Sequence, residues 1–243
     1  MKLAWPCILA TALLACGNED PSNRGDAGPA AVVQPTSGPY FPLAVGNRWV
    51  YRVTPHVEAS YVKTQTIEAL EPVGGDGPQA TIMAFRTVTE KQSQGLPDRT
   101  VSWQAVDLAG GGHRVVRYRE QAFRTGTTDL NAEYFYVPYQ LRWDESFMQV
   151  GTRYAHVYSQ SKTELTTGRT VSDQTDNWEI LAVDEAITVL GKSYTCIKFK
   201  KFGHSVDAGK TFWFARGIGK VKEVPPPQAG QIEELMDYTV MAP

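Results

Sequence analysis

From residue 40 onward the hydrophobic and polar positions of the chain alternate with a period of two. In YFPLAVGNRWVYRV, Trp49, Tyr51 and Val53 fall on one side of an extended segment, and Arg48 and Arg52 fall on the other. That is the pattern of an antiparallel strand with one face buried. It continues through VKTQTIEAL, QATIMAFRTVTE, RTVSWQAVDL, HRVVRYRE, TRYAHVYSQSKTEL, NWEILAVDEAITVL, SYTCIKFKKF and KTFWFARG. Turn residues separate these stretches: GGDGP at 74–78, GLPD at 95–98, AGGG at 109–112, TTG at 166–168, LGK at 190–192, DAG at 207–209 and PPPQAG at 225–230. Many short strands without a strong helical pattern predict a single antiparallel all-β domain, a strongly curved sheet or half-barrel, with a β-sandwich as the alternative. QIEELMDYTV fits two templates. Ile232, Leu235 and Met236 match a helix, whereas Ile232, Met236, Tyr238 and Val240 share one strand face. Tyr, Thr and Val favour strands, so a strand is predicted there. No fixed-period repeat is visible, which argues against a propeller or solenoid.

The first fifteen residues are patterned differently. Lys2 precedes an apolar run from Leu3 to Leu14, the length of a signal h-region and shorter than the ~20 residues of a membrane-spanning helix. Leu13, Leu14, Ala15 and Cys16 resemble the lipobox of bacterial lipoproteins, in which the cysteine is lipidated and becomes the first residue. The resemblance implies that residues 1–15 are removed and that lipid on Cys16 holds the chain to a membrane. Each buried CH₂ contributes about 0.8 kcal/mol, and two or more acyl chains anchor stably. Gly17 stands where an aspartate retains enteric lipoproteins in the inner membrane, so the resemblance points to the outer membrane, facing the periplasm or the cell surface. Residues 17–39, GNEDPSNRGDAGPAAVVQPTSGP, hold few large apolar side chains. Together with Cys16 they read as a disordered tether with a root-mean-square span of ~25 Å, and the domain proper as 40–243.

Charge and cysteine content narrow the classes further. The chain carries 24 basic and 26 acidic side chains, and losing Lys2 with the signal makes it slightly more acidic. Without a basic cluster, nucleic acid is not an expected partner. Of three cysteines, Cys7 leaves with the signal and Cys16 carries lipid. Cys196 then has no internal disulfide partner, and the domain must be held by its core.

Three patches carry a second resemblance: the opening YFPLAVGNRWVYRV, the hairpin ITVLGKSYTCIKFKKF and the closing FWFARGIGKVKEV followed by a segment containing EEL. Together they resemble a group of uncharacterised bacterial lipoproteins, in order over most of residues 40 to 235. The chain departs from that pattern at Arg216, where the group has proline. The group is similar in style to the curved sheets of lipoprotein localisation factors. The resemblance implies no activity for any residue, and a fold by itself implies none. Gly46–Asn47 and Gly217/Gly219 sit where strands must turn, and Trp49 and Trp213 read as core.

Candidate chemistry is sparse. His56, His113, His156 and His204 have no zinc-binding spacing, and no GxSxG elbow, SxxK or phosphate-binding glycine loop is present. His204, Ser205 and Asp207 are adjacent in GHSVD, but a triad is assembled in space, and the stretch reads as a polar loop. Asp173, Asp176, Asn177 and Glu179 in SDQTDNWE offer oxygen donors without the pattern of a calcium loop, so no metal or other cofactor is expected. Cys196 shares strand parity with Lys198 and Lys200, whose ammonium groups would make a thiol reactive; burial as a small hydrophobe is the favoured reading. EYFYVPYQLRW supplies Tyr134, Tyr136, Tyr139 and Trp143 as candidate ligand-contacting aromatics, with core packing as the competing role. These features favour a non-catalytic envelope binding or assembly module on a lipid anchor, its partner an envelope protein or an apolar ligand. The alternatives are a carrier or sensor of lipid and a hydrolase whose residues meet only in space.

Overall fold

The computed structural model describes residues 30–31, 34–93, 95–108, 112–203, 205–226 and 230–241. The expected signal segment, Cys16, the expected tether up to residue 29 and His204 lie outside the described residues. The strands are β1 (Ala30–Ala31), β2 (Arg48–Pro55), β3 (Tyr61–Pro72), β4 (Met83–Ser93), β5 (Leu96–Asp107), β6 (Arg114–Phe123) and β7 (Leu130–Asp144). They continue with β8 (Arg153–Glu164), β9 (Gly168–Val189), β10 (Lys192–Phe202), β11 (Lys210–Ala215), β12 (Gly219–Val224) and β13 (Gln231–Thr239). Each strand from β2 to β13 runs antiparallel to its sequence neighbour, and β13 returns to pair with β2, from Gln231 opposite Pro55 to Thr239 opposite Arg48. The result is a closed twelve-stranded up-and-down barrel. The all-β antiparallel expectation holds, and the curvature goes all the way to closure; one sheet closes on itself, so there is no sandwich. Closure pairs the backbone groups that an open sheet would leave along its edges.

Local departures from the expected strands have physical causes. β4 begins at Met83 rather than Gln79, because residues 73–82 fold over the outer face of β5 to β7. There Arg119 donates to the carbonyl of Val73 at 2.7 Å, Gln79 donates to that of Pro138 at 3.0 Å, and Val73 packs with Val101 and Trp103. SDQTDNWE, of which only NWE falls in an expected strand, is continuous strand within the 22-residue β9. β13 is a strand as expected, but Glu233 and Leu235 point inward while Ile232 and Met236 lie outside at 36% and 39% exposure. A register shift between Leu235 and Asp237 then returns Tyr238 to a packed position.

One end of the barrel is closed by the segment that leads into it. Trp143, fully buried, meets Tyr40 at 6.0 Å, Phe199 at 4.8 Å and Phe214 at 5.7 Å between ring centres. Phe41 and Leu43 pack against the same cluster. The polar ties are backbone-directed: Gly217 N–H to Pro39 O at 2.9 Å, Trp49 Nε1–H to Ile218 O at 2.6 Å, and Tyr40 N–H to the Glu145 carboxylate at 2.7 Å. The opening and closing patches, about 170 residues apart, thus meet in space and build one plug. Arg216, the departure from the pattern, lies 4.3 Å over the Tyr40 ring and donates to Gly38 O at 2.9 Å. Upstream, Gln34 exchanges two 2.8 Å hydrogen bonds with the Thr195 backbone, and β1 pairs in parallel with Lys192 and Ser193. The last part of the expected tether is therefore seated on the barrel.

The outer surface carries ion pairs. Arg52 and Lys222 flank Glu234 at 2.6 and 3.3 Å, Arg86 meets Glu68 at 2.7 Å, and Arg153 meets Glu179 at 3.0 Å. A barrel that spans a bilayer presents an apolar band outward instead.

Candidate functional site

Inward-facing residues change character along the barrel axis. Towards the plug they are aromatic. Towards the opposite rim, formed in part by the β4–β5 and β10–β11 turns, they are charged or hydrogen-bonding and enclose a cavity of about 510 Å³. This size suits a small ligand, since such sites occupy roughly 300–1,000 Å³.

One wall is an ion-pair chain across β3, β13, β12 and β11. Glu223 and Glu233 are direct cross-strand partners, an arrangement that repels unless cations intervene. Lys220 lies between them, 2.6 Å from Glu223 and in contact with Glu233; Lys210 meets Glu223 at 2.8 Å, and Lys63 meets Glu233. The Tyr51 ring lies beneath, 5.0 Å from Lys220 Nζ and 5.3 Å from Lys63 Nζ. Burial alone would lower Lys220, but the two carboxylates overcome it and raise its pKa above the ordinary lysine range. Lys63 goes the other way: burial and then the Lys220 charge outweigh Glu233 and push it down to about 8. Both carboxylates are held below their ordinary range, with Lys220 the strongest of the cations that overcome their burial.

The opposing wall comes from β6, β7, β9 and β10. Arg117 donates to Gln140 Oε1 at 2.9 Å, pairs with Glu120 and lies 5.2 Å over Tyr136. Gln140 donates in turn to the Tyr158 hydroxyl at 2.9 Å. Asp176 binds Lys201 at 2.7 Å, and Lys201 lies 5.0 Å over the Trp178 ring. Burial, then the Arg142 charge, push Lys201 down to about 8 against the pull of Asp176. Burial is also the main cause that brings Arg117 down to about 10, with Arg142 adding to it. Arg142 itself lines the cavity with its Nε–H out of contact with solvent and no acceptor among the described residues.

The aromatics singled out in β7 occupy other places. Trp143 is plug core; Tyr136 is buried behind Arg117 against Tyr158; Tyr139 stacks on His156 at 4.9 Å; and Tyr134 lies under Lys162 at 5.7 Å. None of the four is among the residues that line the cavity. Of the four oxygen donors in β9, Asp176 faces inward to Lys201, whereas Asn177 donates to Gly203 O and Glu179 pairs with Arg153 outside. Among the described residues no group of three His, Cys, Asp or Glu side chains is placed to hold a metal ion. Cys196 is 1% exposed and burial, aided by Glu185, pushes its thiol up to about 12, so the neighbouring Lys198 does not activate it.

The cavity residues were present in the alternation without being read from it. Lys63 shares parity with Ile67, Lys201 with Ile197 and Phe199, and Glu233 with Leu235. A charge that recurs on the core face of a strand is the signal of a polar interior. Comparison of the chain with protein families, with curated proteins and with solved structures returned no match.

Proposed function

We propose that this protein is a membrane-anchored, non-catalytic binding module whose barrel takes up a small polar ligand bearing negative charge. The observation that carries the reading is Arg142: a guanidinium in the cavity wall whose buried Nε–H has no acceptor among the described residues. A buried polar group without a partner is costly, and an arginine supplies only donors, so the missing partner is an acceptor. The charge balance agrees. The lining holds Lys63, Lys91, Arg117, Arg142, Lys201, Lys210 and Lys220 against Asp98, Glu120, Asp176, Glu223 and Glu233. An apolar carrier would need an apolar cavity, and this lining favours a polar ligand over an acyl chain.

The anchor is Cys16, by its resemblance to lipoprotein signals. The chain joins the barrel at the plugged end, and the cavity rim lies at the opposite end. Two experiments test the proposal. Intact mass of the membrane fraction reports diacyl or triacyl modification of Cys16, and its absence refutes the anchor. Thermal melting of the full chain in detergent with a panel of anions, from acetate to citrate and phosphate, reports ligand uptake; stabilisation that Arg142→Gln abolishes supports the reading, and no stabilisation by any anion refutes it.

A further inference from the structure

We infer that the ligand is an acidic carbohydrate: a hydroxyl-rich molecule whose carboxylate or phosphate docks first, in a recess at the floor of the cavity beside Arg142 and Trp178. This rests on the anion-binding reading of the barrel and adds the ligand's class and direction.

The recess is a second hollow, about 80 Å³, that shares Gln65, Arg142, Lys201, Phe212, Lys220 and Glu223 with the main cavity; the one carboxylate among them, Glu223, is already held by Lys220 at 2.6 Å and Lys210 at 2.8 Å. Its remaining walls are largely aromatic, Trp178, Phe199 and Phe214 among them. It is smaller than the ~150 Å³ cavity that accepts benzene, so it suits a compact group of a few heavy atoms and excludes a ring or an acyl chain. Two of its residues hold buried donors without acceptors among the described residues: Arg142 Nε and Trp178 Nε1, the latter on a side chain only 2% exposed. Guanidinium and indole N–H groups donate and never accept. Among the described residues that line this wall, Arg117, Arg142 and Lys201 stand against Glu120 and Asp176, leaving one positive charge over. A group that accepts from both donors and cancels one charge is a carboxylate or a phosphate oxygen pair.

The wall on β3 to β5 is of another kind. Gln65, Thr89, Thr100, Ser102 and Gln104 occupy inward positions and carry amides and hydroxyls without charge. Gln104 spends its Nε2–H on Ser102 Oγ at 3.0 Å, and its Oε1 is buried without a donor among the described residues. An acceptor in that state calls for a hydroxyl or amine on the ligand. A simple anion would leave it unsatisfied, and so would an apolar acid. Hydroxyls beside one acid group are what both walls require together.

The test is titration calorimetry on the full chain with three sets of probes. Glucuronate, galacturonate, mannuronate and glucose 6-phosphate carry both features; glucose carries hydroxyls only; acetate and inorganic phosphate carry the acid only. At least one sugar acid should bind tenfold or more tightly than glucose and than its matching simple anion. The uronates and the phosphate ester then separate the two acid chemistries. Trp178→Phe keeps an aromatic ring and removes the N–H; it should weaken that sugar acid about tenfold, with melting temperature as the check on folding. Arg142→Gln should weaken it more. If acetate or phosphate binds as tightly as every sugar acid, the carbohydrate inference fails while the anion reading stands. If glucose binds equally, the recess has no role in recognition and the inference fails. If no probe and no other anion binds, both readings fail together.

Discussion

Replacing Lys220 by methionine removes the cation that separates two carboxylates. Glu223 and Glu233 are opposed in the β12–β13 register and are 8% and 11% exposed, so the variant leaves them side by side with only Lys63 and Lys210 nearby. Breaking a buried ion pair by deleting one partner costs ~3–5 kcal/mol. Lys220 is 14% exposed and borders a cavity, so the lower end applies, about 3 kcal/mol. For a chain of this size that lowers the melting temperature by ~6–12 °C. The pH dependence separates this mechanism from simple loss of packing. In the parent both carboxylates titrate below their ordinary 4.5, so their stabilisation is present above that value and is lost only as pH falls through the lowered folded values. In the variant the repelling pair holds a proton more tightly than the unfolded chain does. Stability is then regained as pH is lowered, which a comparison of unfolding at about pH 7.5 and about pH 5.5 reads. Urea unfolding at both pH values measures the difference, and Glu233→Gln in the same background should restore part of the loss. A loss below about 1 kcal/mol, or one that is identical at the two pH values, refutes the reasoning.

Anion affinity should be highest below pH 8 and fall above it, since a bound anion favours the charged form of Lys201, whose pKa is pushed down to about 8; a flat profile of Kd against pH would show that Lys201 does not contribute. For the unliganded protein the sign reverses. Lys63 and Lys201 titrate at about 8 when folded against an ordinary 10.5, so at these two sites the native state binds fewer protons and their contribution makes stability rise with pH from about 8 to about 9; above that, Cys196 and the buried tyrosines, whose folded pKa values are raised, contribute with the opposite sign, and urea unfolding at the two pH values reads the rise. Cys196, buried and with its thiol pushed up to about 12, should label with a thiol reagent only at the rate of unfolding; rapid labelling of the native protein would place it at a reactive surface. Gly217 has a φ of +67°, and a Cβ there would stand 2.8 Å from Pro35. Gly217→Ala should therefore cost on the order of 1–2 kcal/mol and free residues 34–39 for proteolysis, and unchanged cleavage would show that the plug does not depend on that turn.

Period-two alternation was sufficient to predict an antiparallel all-β domain, because a strand that is wet on one side and packed on the other writes both environments into neighbouring residues. Trp49, Tyr51 and Val53 are buried as that pattern requires, and β13 is a strand because Tyr, Thr and Val outweigh its helical spacing. The reading failed where the inside of the barrel is not apolar. Glu233 is inward beside Leu235, and Lys201 beside Phe199, because the sheet surrounds a water-accessible cavity at that level. Aromatics in β7 attracted attention as ligand contacts, yet Trp143 went to the plug, since a closed barrel needs large side chains to fill the end that solvent must not enter.

By itself, then, the sequence determined the strand character of the domain, turns such as those at 166–168, 190–192 and 207–209, and the burial of Cys196, all of which depend on local spacing and side-chain type. Closure of the barrel was decided by the pairing of β13 with β2, about 180 residues apart, a contact that no local window contains. The plug was decided by Pro39 meeting Gly217 and Trp49 meeting Ile218. The cavity, too, is a property of the tertiary structure: Lys63, Lys220, Glu223 and Glu233 form one charge chain, and Arg142 faces Lys201, only because the sheet closes around them. Electrostatic and hydrogen-bonding partners are chosen by distance in space, and a closed sheet sets those distances across its interior as well as along its strands.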